Sequence, residues 1–184
     1  MSKKTKKSKK TKRRARPAPA QVKLAKIKPR APRPSPSWKS FTYLYPVLSA
    51  AGVDGDTVKV NLDLGFAVTA TYKCRLYGVD TPEKNTLAGK LVTQVTSAWL
   101  DENENLLVCK SIDKGKYAGR FIGIIGKRDE ADVGYEIQDD LSTFLLSHKF
   151  GVPYNGGRRG VWTPEKLREV EEIATKFLLR SGRI

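Results

Sequence analysis

Between residues 67 and 77 the chain alternates apolar and polar side chains without a break. Val68, Ala70, Tyr72, Cys74 and Leu76 fall on one side of an extended backbone, and Thr69, Thr71, Lys73 and Arg75 on the other. This two-residue period predicts a half-buried strand with Arg75 on its polar face. Upstream, residues 41–53 are a run of β-formers in which Pro46 demands an edge or a bulge. Asp54-Gly55 then marks a hairpin into a strand from Thr57 to about Leu64, with a turn at Gly65. Downstream the period changes. Leu87, Leu91, Val95, Ala98 and Trp99 recur at helical spacing and predict a helix over 86–101. Strands are expected at 105–112 and 120–127. A second helix is expected at 137–149, with Ile137, Leu141, Phe144, Leu145 and His148 on one face. A third, at 164–180, has Thr163 as its cap, Pro164 in its first turn and Ser181-Gly182 as its stop. Its stripe is Leu167, Val170, Ala174, Phe177 and Leu178.

Three strands, a helix, two strands and two helices make an α+β domain. Five strands of this length with a helix after the third suit a small closed barrel. The pattern alone fits an open five-stranded sheet equally well.

Charge divides the chain. Of its 35 Lys+Arg, 16 lie in residues 1–39 with no Asp or Glu, so the remainder carries 19 basic and 19 acidic residues and is neutral. Residues 1–38 therefore read as a tail and 39–184 as the folded domain. The tail has nothing to build a core from and carries six prolines between Pro17 and Pro36, so it is expected to be disordered. Its charge fits a tether to nucleic acid, because each neutralised phosphate releases counterions. An import signal, a solubilising tail or an anionic-membrane contact are the other readings.

Several classes drop out. No apolar run approaches ~20 residues, so no membrane span is expected. The apolar stretch of a secretory signal is also missing, which points to the cytoplasm or nucleus. Two cysteines, Cys74 and Cys109, and one histidine, His148, exclude a Cys/His zinc finger and paired-histidine phosphoryl chemistry. His148 reads as a helix-face residue, Trp99 and Trp162 as packing anchors, and Arg158-Arg159 as a solvated loop.

Two acidic clusters stand on turns instead of solvated helix faces. Asp54-Gly55-Asp56-Thr57 aims two carboxylates the same way, and Gly78-Val79-Asp80-Thr81-Pro82-Glu83 follows the Arg75 strand directly. Arg120 opens a strand after Gly115-Lys116-Tyr117-Ala118-Gly119. If these converge, carboxylates and a backbone carbonyl make a hard-oxygen site for Ca²⁺ or Mg²⁺. A further carboxylate can deprotonate water, and guanidinium forks match a phosphate. Such parts hydrolyse a phosphodiester without histidine. Each also has a plainer reading: Asp-Gly as a hairpin turn, Thr-Pro-Glu as a helix entry, and Arg75 as a solvated strand residue.

The string Val53-Asp54-Gly55-Asp56-Thr57-Val58, followed by Arg75-Leu76-Tyr77-Gly78-Val79-Asp80-Thr81-Pro82-Glu83, resembles the staphylococcal nuclease (thermonuclease) family. The resemblance continues through Lys116-Tyr117-Ala118-Gly119-Arg120 and Phe150-Gly151-Val152-Pro153-Tyr154-Asn155-Gly156-Gly157, covering about residues 41–160. It implies a five-stranded OB-fold barrel and a Ca²⁺-dependent nuclease that acts on DNA or RNA and leaves 3′-phosphate ends. Asp56, Asp80 and the Thr81 carbonyl would hold the Ca²⁺ ion, with Asp54 behind them and Mg²⁺ as the alternative ion. Glu83 would act as general base, Arg75 and Arg120 would grip the scissile phosphate, and Tyr117 and Tyr154 would lie against sugar or base. No obligate protein partner is expected, and the chain reads as a monomer. One departure stands out. Ala118 separates Tyr117 from Gly119 where the family has Tyr-Gly-Arg. The apolar anchors Phe121, Ile122, Ile124 and Ile125 are expected to keep Arg120 in place and leave the extra residue to bulge. The alternative function is a catalytically silent, nuclease-like protein that binds or packages nucleic acid.

Overall fold

The computed structural model describes residues 43–116, 118–128, 137–157 and 160–184. The expected tail, Tyr117 and Arg158-Arg159 lie outside the described residues.

Five strands close into a barrel: β1 (Tyr43–Asp54), β2 (Thr57–Asp63), β3 (Thr69–Leu76), β5 (Leu107–Lys114) and β6 (Arg120–Lys127). Around the barrel the order is β1-β2-β3-β6-β5 and back to β1, with β3 and β6 parallel and every other neighbouring pair antiparallel. Numbered within the barrel this is 1-2-3-5-4-1, the OB arrangement. Helix α1 (Leu87–Glu102) packs on β1 and on α3 (Pro164–Arg180), and the short α2 (Leu141–Ser147) packs against β6. A separate two-stranded piece joins β4 (Gly78–Asp80) to β7 (Val152–Tyr154).

The core fills the barrel and the layer between it and the helices. Val58, Val60, Cys74, Cys109 and Ile125 are fully buried, as are Val92 and Val95 of α1, Leu141 and Leu145 of α2, and Ala174 and Leu178 of α3. Phe150 is the largest fully buried side chain, and it meets Phe144 and Phe177 at ring-centroid distances of 6.0 and 5.6 Å. Burying a side chain of this size contributes about 2–3 kcal/mol. No helix among the described residues is long and apolar enough to cross a membrane.

The structure departs from the sequence reading in several places. Val68 and Tyr72 were expected on the buried side of β3 yet are 52% and 40% exposed. Val68 falls in the turn before β3, where its carbonyl accepts Leu64 N at 2.9 Å, and Tyr72 precedes the stretch from Lys73 to Leu76 that β6 pairs with, so its only ladder neighbour is β2. Leu87 is exposed at the start of α1, and the buried face is broader, including Ala88, Gly89, Val92 and Thr96. Helix α2 begins at Leu141 because the Asp140 carboxylate caps it, accepting from Thr143 N at 2.9 Å. Ile137 precedes that helix and lies against Gly126. β5 starts at Leu107 after a single 3₁₀ turn, Glu104–Leu106. Pro46 sits beside Val108, and the β1–β2 register slips between Val47 and Ser49, so β1 does carry a bulge.

Candidate functional site

Two tight chain reversals set the site. The first is the β1–β2 hairpin, in which Asp54 pairs with Thr57 and Gly55-Asp56 form the turn. Thr96 of α1 donates its hydroxyl to Gly55 O at 2.8 Å, and Leu76 N donates to Asp56 O at 2.9 Å, so the turn is pinned from both sides. Only glycine fits at position 55: a Cβ there would sit 2.5 Å from Thr81 Oγ1 and 2.9 Å from Val92 Cγ1. The second reversal follows Arg75, where Gly78 at φ +84° turns β3 into β4 and carries the chain to Asp80. A positive φ of this size is cheap only for glycine.

Arg75 lies between the two turns. Its Nη1 donates to Asp56 Oδ1 at 2.5 Å and its Nη2 to Asp80 Oδ1 at 2.8 Å. The carboxylate side chains are 2% exposed and the guanidinium side chain 14%. Asp56 Oδ2 accepts Thr81 N at 3.1 Å, Asp56 Oδ1 also accepts the Thr57 hydroxyl at 3.3 Å, and Asp80 Oδ2 accepts the Trp162 indole N–H at 3.3 Å. Arg120 joins through Thr57, whose Oγ1 accepts from Nη2 at 3.3 Å. A continuous polar chain therefore runs Arg120–Thr57–Asp56–Arg75–Asp80–Trp162.

Burial pushes the Asp56 carboxyl above its ordinary value. Arg75 and the Thr81 N–H pull it down, and Asp54 and Asp80 add to the rise. Removing a carboxylate from water penalises its charged form, and here that penalty outweighs the paired guanidinium.

Asp54 is half-buried and accepts Gly55 N at 2.9 Å. Glu83 is exposed on the segment entering α1, where Thr86 holds its carbonyl through Oγ1 at 2.7 Å and N at 2.9 Å. Tyr154 pairs with Gly78 in the β4–β7 ladder, which brings its ring to 5.9 Å from Arg75 Cζ. Its hydroxyl donates to Gly157 O at 3.1 Å. Arg75, Tyr77, Ile112, Ile122, Tyr154 and Asn155 line a cleft of about 290 Å³. Arg120 opens β6 opposite Lys73, directly after Gly119 at φ +72°. Tyr117 lies outside the described residues.

Two residues escaped the sequence reading. Trp162 is more than a packing anchor, since its indole N–H holds Asp80. The available signal was generic: a half-buried indole N–H finds an acceptor. Thr57, a strand start at the end of the Asp54–Thr57 turn with no role of its own in the sequence, links Arg120 to Asp56.

Against a divalent cation, the set has the right chemistry and an incomplete cage. Two carboxylates and one guanidinium leave a buried net charge of −1, and hard oxygens suit Ca²⁺ or Mg²⁺. The Thr81 hydroxyl is buried against Gly55 and has no hydrogen-bond partner among the described residues. Among the described residues, however, no three or more His, Cys, Asp or Glu converge as a cluster able to hold a metal ion. The four carboxylate oxygens are taken up by Arg75, the Thr81 N–H and the Trp162 indole, so a cation here would have to displace some of these donors and draw its remaining ligands from elsewhere.

Comparison with known proteins adds no assignment: neither a protein-family model nor a curated protein matches the chain.

Proposed function

We propose that this chain is a metal-dependent nuclease of the staphylococcal nuclease (thermonuclease) kind, hydrolysing phosphodiester bonds of DNA or RNA to 3′-phosphate ends. The observation that carries it is the Asp56–Arg75–Asp80 set, two nearly buried carboxylates on the two tips of one guanidinium. Holding two carboxylates out of water for one arginine is an expensive way to stabilise a fold, since a buried ion pair seldom outperforms apolar packing. A site that must receive a cation and a phosphate accounts for that cost.

Arg75 lines the cleft beside Tyr154, so a phosphate entering there would meet a guanidinium whose two tips are held by Asp56 and Asp80 and would share it with them. Arg120, tied to the same network through Thr57, adds a second positive charge to oppose the negative charge that develops on the phosphorane oxygens. Glu83, exposed and with its backbone pinned by Thr86, would take a proton from the attacking water. Asp56, Asp80 and the Thr81 carbonyl would hold Ca²⁺, or Mg²⁺, which when bound supplies Lewis-acid polarisation of the ester. Tyr154 gives the sugar or base a flat surface, and Asp54 adds negative charge behind Asp56. The basic residues 1–38 raise residence on polyanions.

A second reading is favoured by one specific observation: every oxygen of Asp56 and Asp80 already accepts a protein donor. On that reading the network is purely structural and the chain binds or packages nucleic acid without cutting it. Plasmid cleavage on agarose across a Ca²⁺, Mg²⁺ and Mn²⁺ series, with wild type beside Glu83→Gln, separates the two. Metal-dependent nicking by the wild type alone supports the nuclease, and intact plasmid throughout supports the silent binder.

A further inference from the structure

Strand register places three cations in a line outside the barrel. Lys59 of β2 is paired directly with Lys73 of β3, and Lys73 is paired directly with Arg120 of β6. Their sequence neighbours Val58, Val60 and Cys74 are fully buried, so the side chains of Lys59 and Lys73 leave the opposite, outer face, where both are exposed. Neighbouring strands lie about 4.8 Å apart, so the line crosses three strands within about 10 Å.

This arrangement opposes the stability of the sheet. Like charges directly opposite on neighbouring strands repel each other. Lys59 and Lys73 make no ion pair among the described residues. The next register pair toward the hairpin end is Asn61 with Thr71, whose hydroxyl donates to Asn61 Oδ1 at 3.4 Å, so no acid stands there to neutralise the line. On the other side the next pair is Thr57 with Arg75. The line therefore runs from the exposed middle of β2 straight to Arg120 and the network of the site.

We propose that Lys59 and Lys73 bind the backbone phosphates of a single nucleic-acid strand next to the ester held at Arg75 and Arg120. The strand would then cross β2, β3 and β6 along this line. The proposal rests on the nuclease reading for its orientation, but its test does not need cleavage. A single strand is the occupant because the line is short, crosses a curved strand face and lies next to Arg75, which with Tyr77 and Tyr154 lines the cleft where an unpaired base can lie.

The test is fluorescence anisotropy of the full chain with a labelled dT20 oligonucleotide in EDTA, titrated across 50–300 mM KCl, for wild type and Lys59→Gln/Lys73→Gln. Single-strand affinity falls with salt by about 0.7 per phosphate neutralised, so losing two contacts should flatten the log–log slope by about 1.4. Removing the repulsion should leave the melting temperature unchanged or raise it by about 1–3 °C. An unchanged slope overturns the proposal, as does an affinity loss accompanied by a lower melting temperature, which would assign the effect to folding. If wild type cleaves with metal but the slope does not move, this inference fails and the nuclease reading stands. If the slope flattens as expected but no metal supports cleavage, the line stands and the nuclease reading fails.

Discussion

The indole N–H of Trp162 meets Asp80 Oδ2 at 3.3 Å, across 82 residues of chain. The segment leading into α3 thereby holds one of the two carboxylates that Arg75 bridges, and α3 packs on α1, whose entry carries Glu83. Trp162→Phe keeps the ring and removes the donor. A hydrogen bond to a charged group contributes about 1.5–3 kcal/mol, less here because Trp162 is only half-buried. The expected result is a melting temperature lower by about 2–5 °C, read by circular dichroism, with cleavage slowed in the same variant. Equal melting temperatures would show that the indole N–H carries no energy.

Arg75 decides whether the two aspartates are tolerable. Arg75→Met should cost about 3–5 kcal/mol in urea unfolding, because it leaves uncompensated buried charge. Asp56→Asn/Arg75→Met/Asp80→Asn, which removes the charges together, should recover most of that loss. A single variant as stable as wild type would mean that water reaches the pair far more freely than its exposure indicates.

The raised Asp56 carboxyl carries a sign that can be measured. With the folded value above the ordinary 3.8, the folded protein keeps a proton that the unfolded chain has already released. The contribution is fully present below 3.8 and is lost as pH rises through the folded value. Wild type should therefore lose stability relative to Asp56→Asn between pH 3.5 and pH 7, measured as the difference in urea midpoints. Ca²⁺ at pH 7 should return part of the loss to wild type only. A difference that grows in favour of wild type with pH would reverse the assignment.

Much of this architecture was legible in the chain. The period of two around Arg75 and the periods of 3.6 at α1 and α3 are local, and strand 120–127 and helix 164–180 appear with the expected ends. The approach of Asp56, Arg75 and Asp80 was legible only through the resemblance, since nothing in Asp-Gly-Asp-Thr states what packs on it. The β4–β7 ladder was not legible: three-residue strands, one containing Pro153, have no period to detect. The same holds for Trp162, whose partner depends on where α3 docks. Tyr72 misled because alternation reports which side a residue faces but not whether a neighbouring strand covers it, and Val68 because it falls in the turn before β3.

Glu83 and Arg120 separate chemistry from folding. Glu83→Gln and Arg120→Ala should each lower the cleavage rate by roughly 10²–10⁴-fold. Glu83 is exposed and, among the described residues, Arg120 reaches the network through a 3.3 Å contact, so both variants should melt within about 2 °C of wild type. Full activity in either would remove that residue from the mechanism.

Whether Asp56, Arg75 and Asp80 form one cation-and-phosphate site is decided by the initial rate of cleavage of an end-labelled single-stranded oligonucleotide as Ca²⁺ is titrated in, for wild type and Asp80→Asn. The expected result is a saturable, Ca²⁺-dependent rate in wild type and a loss of about 10²-fold or more in the variant. No cleavage by wild type with Ca²⁺ or with Mg²⁺, or equal rates in the two proteins, would contradict such a site.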